Sequence, residues 1–341
     1  MSANPAAMPT VSVLIPVLNE EKHIRDTVAT MLAQELPEGL TLELVFADGR
    51  SDDRTKAVLE EMGRDDPRIV VVDNPARTTA AGLNACLRAA SGGYVARMDA
   101  HAWFPARYLA AGIERLEQDD DVVWVAGPVV PRGSGGIRAS VAYALGSRLG
   151  VGGSSKWRMN AEGRPAEEVE LDTGVFAGVW RRETVDRHDG WDDGWPVNQD
   201  SELAARVLAE GGRIVSRAEM AAEYLPRDNF RALWRQYWRH GFYRAKTATR
   251  HHGTLRKTHF LPPAVALCLA GALLAPTRTL RRLARLGVAV YGGALGLQAL
   301  DAAREVPLKV ALPLPAVLAT MHVAWGLGFI AGWARFGLAR P

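Results

Sequence analysis

The chain opens with Val11-Ser-Val-Leu-Ile-Pro-Val17, a short apolar run rich in β-branched residues that predicts a buried strand. Pro16 closes it, and Asn19-Glu20-Glu21 predicts the start of an amphipathic helix reaching about Gln34, with Ile24, Val28, Met31 and Leu32 on one face. The pattern then repeats. Strands are expected at 42–47, 69–72 and 94–98, and helices at about 54–62 and 80–90. Strands alternating with helices at this spacing predict an α/β domain with a mostly parallel sheet and right-handed crossovers. Residues 122–130 and 171–180 read as later strands, and 199–208 as a helix stopped by Gly211-Gly212. Between them, the Gly-, Ser- and Arg-rich stretch 132–168 has little periodicity and reads as a mobile loop over the site.

The last third changes character. Three apolar stretches, 261–275, 286–300 and 308–336, are separated by a segment, 277–285, that holds four arginines. A fifteen-residue helix spans only about 22 Å, short of a ~30 Å hydrocarbon core, whereas the third stretch is long enough to cross. The arginines place 277–285 in the cytoplasm, so the second and third stretches would form a hairpin and the first would dip or lie in the interface. Alternatively, all three are re-entrant or packed on the rest of the chain.

Charge sharpens this division. The 341 residues are 48% hydrophobic and 23% charged, which excludes a collagen, a disordered tail protein and a disulfide scaffold. Cys86 and Cys268 match no metal or redox spacing, and residues 1–10 carry no secretory pattern, so a reducing compartment is expected. The net +3 hides blocks: residues 1–230 hold 25 basic against 36 acidic side chains, 231–260 hold 8 against none, and 261–341 hold 8 against 2. An acidic body with a basic, apolar tail suggests a catalytic domain attached to something anionic. In 230–245, Trp234, Tyr237 and Trp238 recur at helical spacing beside Arg231, Arg235 and Arg239, which suits an interfacial helix. Single-stranded nucleic acid would use the same residue types, but the apolar tail that follows favours lipid.

The candidate chemistry sits at strand ends, where ligands of such sheets collect. Strands one, two and four end in Pro16-Val-Leu-Asn19, Asp48-Gly-Arg-Ser51 and Asp99-Ala-His101. Asp99-x-His101 can face a divalent cation on a diphosphate, or be a solvated turn. Asp48 with the hydroxyls after it can accept from a nucleobase and ribose, or merely cap a helix. Asp200, at a helix start, can serve as a general base or as a capping residue. No phosphate-binding glycine loop is present, so phosphates are expected to be met by a metal.

Taken in order, Pro-x-x-Asn-Glu, Asp-Gly-x-Ser-x-Asp-x-Thr, Asp-x-His and Asn-Gln-Asp-x-Glu resemble the family 2 glycosyltransferases of the GT-A fold. A closer resemblance, to the succinoglycan-biosynthesis type of membrane-associated bacterial exopolysaccharide glucosyltransferases, is carried by several further matches. These include Asp172-Thr173, Asn198-Gln-Asp200, Tyr224-x-Pro-Arg227, Arg235-Gln-Tyr237, His259-x-Leu-Pro-Pro263 and Met321-His-x-x-Trp-Gly-Leu-Gly-Phe329. The resemblance implies that Pro16, Asn19, Glu20, Asp48, Arg77, Gly82, Asn84 and Asp99 bind the donor nucleotide. It also implies that Asp99 and His101 hold Mn²⁺ or Mg²⁺, and that Asp200 is the base. Trp191, Asp192, Arg235, Gln236, Tyr237, Trp238 and Arg239 would lie towards acceptor and lipid. His101 departs from the commoner second aspartate, and Gln199 from the usual glutamate.

Three domains are expected: a GT-A catalytic domain over 1–228, basic aromatic interfacial helices over 229–260, and a membrane-associated helical tail over 261–341. The implied activity is inverting transfer of a hexose from a UDP-sugar, with glucose the first guess, to a polyprenyl-diphosphate-linked saccharide. It would take place at the inner face of the bacterial plasma membrane, with an anionic membrane and no nucleic acid as partner. The alternatives are a polyprenyl-phosphate hexose synthase and a non-catalytic, membrane-tethered nucleotide-sugar or polysaccharide binding protein.

Overall fold

A computed structural model describes residues 10–151 and 168–337. The chain divides into two compact units, one of residues up to 130 and from 168 to 224, the other of 131–151 with 225–337.

The first unit is the expected α/β sandwich. Its elements are β1 Thr10–Val17, α1 Ile24–Leu32, β2 Thr41–Asp48, α2 Thr55–Asp65, β3 Ile69–Asp73, α3 Thr79–Ala89, β4 Tyr94–Arg97, β5 Ala102–Trp103, α4 Tyr108–Leu116 and β6 Val122–Ala126. After β7 Val129–Pro131, the second unit contributes α5 Gly136–Gly146 and α6 Arg148–Val151. The first unit then resumes with β8 Val169–Leu171, β9 Gly178–Arg181, α7 Arg182–Arg187, α8 Gln199–Ala209, β10 Arg213–Ser216 and β11 Ala222–Tyr224.

Eight strands form one sheet in the order β3-β2-β1-β4-β9-β6-β10-β8. β1, β2, β3 and β4 are parallel, β9 enters antiparallel between β4 and β6, and β8 runs antiparallel at the far edge. Alternation along β1 sends Val11, Val13, Ile15 and Val17 to one face, against Ile24, Val28 and Met31 of α1, while Leu14 faces α3 beside Leu83 and Cys86. Because Val17 pairs with Asp48 and Asp48 with Asp73, the carboxyl ends of three neighbouring strands lie level.

Several boundaries differ from the sequence reading. The first helix begins at Ile24, because Asn19 adopts a left-handed φ of 58° and residues 19–23 form a turn. Residues 122–130 are two strands broken at Gly127-Pro128, where Gly127 lies against the Met220 carbonyl too closely for any side chain. The stretch 171–180 holds the end of β8 and the start of β9, since Gly174 turns the chain against Trp124 and the Asp200 carbonyl. The expected loop 132–168 is helical over Gly136–Gly146 and Arg148–Val151, and its remainder, 152–167, lies outside the described residues.

In the second unit, α9 Phe230–Arg250, α10 Leu261–Leu274, α11 Arg278–Glu305, α12 Leu308–Ala311 and α13 Leu314–Phe336 pack with α5 and α6. Asn229 caps α9 by accepting from the Ala232 amide. The segment 277–285 is not a linker: Thr277 caps α11 through the Leu280 amide, and the arginines fill its first turns. Arginine is a good helix former, so the 28-residue helix runs through the charges that had seemed to interrupt it. α10 and α11 form an antiparallel hairpin, with Gly271 against Ala284 and Gly287 against Cys268. α9 and α13 run parallel at backbone contact distance, because Gly241, Gly328 and Gly332 lie against the carbonyls of Trp325, Trp238 and Phe242. Hydrogen bonds from Tyr143 to Glu305 (2.8 Å) and between His322 Nε2 and the Leu149 carbonyl (2.9 Å) tie α5 and α6 to the C-terminal helices. Residues 257–274, 278–305 and 308–336 are each long and apolar enough to cross a membrane. Leu273, Leu274, Leu286, Val290, Leu297 and Leu300 are exposed on α10 and α11.

The helix contact at Gly241 has no room for a methyl group. Gly241→Ala is expected to cost about 1–3 kcal/mol by overpacking, measured as a lowered melting temperature of detergent-solubilised protein. Ala substituted at the exposed Gly292, where a Cβ meets nothing, is the neutral control.

Candidate active site

The loops after β1 and β2 are sewn together. The Asn19 amide donates to Ser51 Oγ (3.0 Å), while Asn19 Oδ1 accepts from the Asp52 amide (2.8 Å). The Glu20 amide donates to Thr55 Oγ1 (2.8 Å) and the Glu21 amide to Asp53 (3.2 Å). Asp48 is buried, and both its oxygens are engaged within its own turn by Ser51, through the hydroxyl at 2.6 Å and the amide at 3.1 Å. Arg77, left-handed at φ 57°, reaches from the loop after β3 to Asp52 at 3.2 Å. Gly82 allows the first turn of α3 to lie against Pro16 and Asn74, where a Cβ would collide with both.

A second cluster lies beyond β4. His101 Nδ1 is 3.2 Å from Glu20 Oε1, joining the turn after β4 to the loop after β1. Arg97, 4% exposed at the end of β4, contacts Asp99 through Nε (2.9 Å) and Nη2 (3.2 Å), and Asp200 through Nη1 (2.5 Å). Burial disfavours the guanidinium charge, but Asp200 and then Asp99 more than offset it and hold its pKa above the ordinary arginine value. Tyr108, fully buried against Phe104, has its phenol pushed up by burial and by the nearby Asp99 charge.

Asp200 sits in the first turn of α8, which opens at left-handed Asn198 (φ 65°), and Thr173 reaches the same turn by a 3.3 Å bond to Ser201. Glu202 is not a solvated helix charge. It is buried and bound by Arg206 Nε and Nη2 at 2.8–3.1 Å, while Arg206 also donates to the carbonyls of His188 and Gly190.

Pro16, Asn19, Glu20, Asp48, Arg77, Gly82, Asp99, His101 and Asp200 are thus brought onto one connected edge of the sheet. Asn84 is used elsewhere: its amide spans the Trp191 carbonyl (2.6 Å), the Trp191 amide (2.9 Å) and Asp193 (3.0 Å), fastening α3 to residues 190–193. Trp191 is 1% exposed and packs edge-on against Trp180, so its ring belongs to the core and offers no face to an acceptor. Asp192 is exposed and accepts from the Gly194 amide. Arg235, Gln236, Tyr237, Trp238 and Arg239 lie on α9, in the second unit. Arg97 was missed in the sequence, although one charge inside an otherwise apolar strand must find partners if the strand is buried.

The matched family model is Glycosyl transferase family 2, over residues 12–182. The chain is also 33% identical over 335 residues to the succinoglycan biosynthesis protein ExoA of Rhizobium meliloti, covering 96% of each. The chain belongs to glycosyl transferase family 2. Another relative of this glycosyltransferase is the dolichyl N-acetyl-alpha-D-glucosaminyl phosphate 3-beta-D-2,3-diacetamido-2,3-dideoxy-beta-D-glucuronosyltransferase of Methanococcus voltae, 23% identical over 66% of this chain and 70% of that protein. Among solved structures, the mannosyltransferase PcManGT of Pyrobaculum calidifontis, in complex with GDP-Man and Mn2+, superposes with a TM-score of 0.58 at 21% identity. It covers 96% of this chain and 88% of its own. The glycosyltransferase therefore has the GT-A fold.

Arg206 pairs with the buried Glu202 carboxylate and also holds two loop carbonyls. Arg206→Ala should destabilise the enzyme by about 3–5 kcal/mol, the cost of breaking a buried ion pair from one side, read as a lower urea midpoint, whereas Arg206→Ala with Glu202→Leu should recover part of that loss.

Proposed function

We propose that the enzyme transfers a hexose from a UDP-sugar, with glucose the first candidate, to a hydroxyl of a polyprenyl-diphosphate-linked saccharide in exopolysaccharide or cell-envelope glycan synthesis, inverting the anomeric carbon. The observation that carries the reading is the meeting of Asp99 and Asp200 on one buried guanidinium at the carboxyl edge of the sheet. A donor-side carboxylate and a base are thereby held side by side. The name of the Rhizobium relative supports a place in exopolysaccharide synthesis, and that of the Methanococcus relative supports an acceptor linked to a lipid phosphate.

In this reading the laced loops after β1 and β2 take the nucleoside, with buried Asp48 shaping the base side through Ser51 and Asp99 facing the ribose. The donor chemistry of Asp99 and His101, one carboxylate and one imidazole on a single turn, fits a divalent cation, which these two residues would hold. No group of three or more such side chains forms a preformed metal site among the described residues. Mn²⁺ or Mg²⁺ held there would supply charge neutralisation for the departing diphosphate. Asp200 accepts the proton of the acceptor hydroxyl as its oxygen bonds to the anomeric carbon. The bond from that carbon to the diphosphate oxygen breaks on the opposite side. One displacement turns an α-linked donor into a β-glycoside.

Arg231, Arg235 and Arg239 are exposed at four-residue intervals along α9, next to half-exposed Trp234. That row suits anionic headgroups, and the apolar faces of α10 and α11 suit the acyl region. The enzyme would work at the inner face of the plasma membrane, with its catalytic unit in the cytoplasm.

Asp200→Asn should lower kcat on the order of 1,000-fold, within the range of lost general-base catalysis, while UDP affinity by calorimetry stays within about threefold. Unchanged turnover would overturn the mechanism. Replacing Arg231, Arg235 and Arg239 together by Ala should weaken binding to phosphatidylserine vesicles by up to about 100-fold at low salt, at roughly 1 kcal/mol per arginine, with little change on neutral vesicles.

A further inference from the structure

Nucleotide binding and proton transfer, as assigned above, give no task to Arg97, the most deeply buried cation of the site. We propose that Arg97 is a positioning residue that locks the Asp200 carboxylate to the Asp99 carboxylate, fixing the base relative to the donor end; this rests on reading Asp200 as the base. All three guanidinium nitrogens are used: Nε and Nη2 on Asp99 at 2.9 and 3.2 Å, Nη1 on Asp200 at 2.5 Å. The guanidinium is planar and rigid, so two carboxylates on different edges of it are fixed in direction as well as neutralised.

The lock spans elements that the chain brings together late. Arg97 ends β4, whereas Asp200 lies 103 residues further on, in the first turn of α8. In-line displacement needs base, hydroxyl and leaving diphosphate in register, and a 1 Å misplacement costs on the order of 100-fold in rate. Burial makes the lock stiff. Arg97 side-chain exposure is 5%, against 15% for Asp99 and 17% for Asp200, so the carboxylates open towards the site while the cation sits beneath them. Burial of the guanidinium strengthens each charged contact. Lysine carries the same charge at a single point and cannot reproduce two fixed directions.

The test uses the full-length, detergent-solubilised enzyme with Mn²⁺, UDP-hexoses and a polyprenol-containing lipid extract as acceptor. Arg97→Lys should lower kcat at least about 30-fold with donor KM changed less than about fivefold. Added to Asp200→Asn, it should cost no more than about twofold further, because the lysine variant acts through the base already removed. Near wild-type kcat in Arg97→Lys, or losses that multiply in the double variant, would overturn the proposal. Melting temperatures of the same four proteins provide a readout without substrate. A double variant no less stable than the worse single one supports the lock, and additive losses overturn it. If the wild type transfers no hexose, the reading of Asp200 as base fails, and the melting-temperature coupling alone decides whether the lock exists.

Discussion

A guanidinium taken out of water must be given anions, and much of the catalytic edge follows from where Arg97 finds them. An uncompensated buried charge costs several kcal/mol, so β4 can end in Arg97 only if carboxylates converge on it. One comes from two residues along the same chain, Asp99. The other needs the first turn of α8 to arrive at the same place, and that turn is steered by Asn198 in a left-handed conformation and by Gly174 beneath the Asp200 carbonyl. The strand order, the turn and the helix start are therefore parts of one electrostatic requirement.

The loops after β1 and β2 are built differently. These loops are held by short polar side chains bonding to backbone amides across from one another, as Asn19 does to the Asp52 amide, Ser51 to the Asn19 amide and Thr55 to the Glu20 amide. Such contacts shape a rim in which only Asp48 is buried among the acids of these loops, held by Ser51. The two halves meet where His101 approaches Glu20. A buried cation holding two carboxylates, beside laced and partly exposed loops, suits the proposed reaction, in which the nucleotide would leave after each turnover.

How much of this was legible depends on the range of the interaction. Strands β1 to β4 and helices α2, α3 and α8 follow from local periodicity, and the strand-end motifs pointed to Asp48, Asp99 and Asp200 because their surroundings are set within a few residues. Asn84 was not legible in its actual use, since its partners lie 107 and 109 residues away. The resemblance placed Trp191 towards the acceptor, whereas its ring packs in the core against Trp180, from which a helix separates it in sequence. The start of α11 was hidden for another reason: apolar runs were taken to mark the helix, whereas helix formation tolerates arginine and the run of side chains only marks what it faces. Residues 136–146 gave a weak signal because two of their four buried positions, Ser140 and Ala144, are small and weakly apolar.

The division into units bears on how the chain folds. Residues 131–151 lie between β7 and β8 in sequence, yet their bonding partners include Asp228, Glu305 and His322. The partner of Tyr143 is 162 residues away and that of the Leu149 carbonyl is 173. Closing such long loops is entropically slow, so α5 and α6 cannot reach their final contacts until the C-terminal helices have been made. Meanwhile β9 and β10, which follow α5 and α6 in the chain, can already pair with β4 and β6, and β8 with β10. The sheet and the Arg97 lock thus have all their parts by about residue 216, while the segment inserted between β7 and β8 still awaits the tail. A chain cut before α9 would keep every strand of the sheet and both carboxylates, but would leave Val141, Ala144 and Leu145 without the helices that cover them.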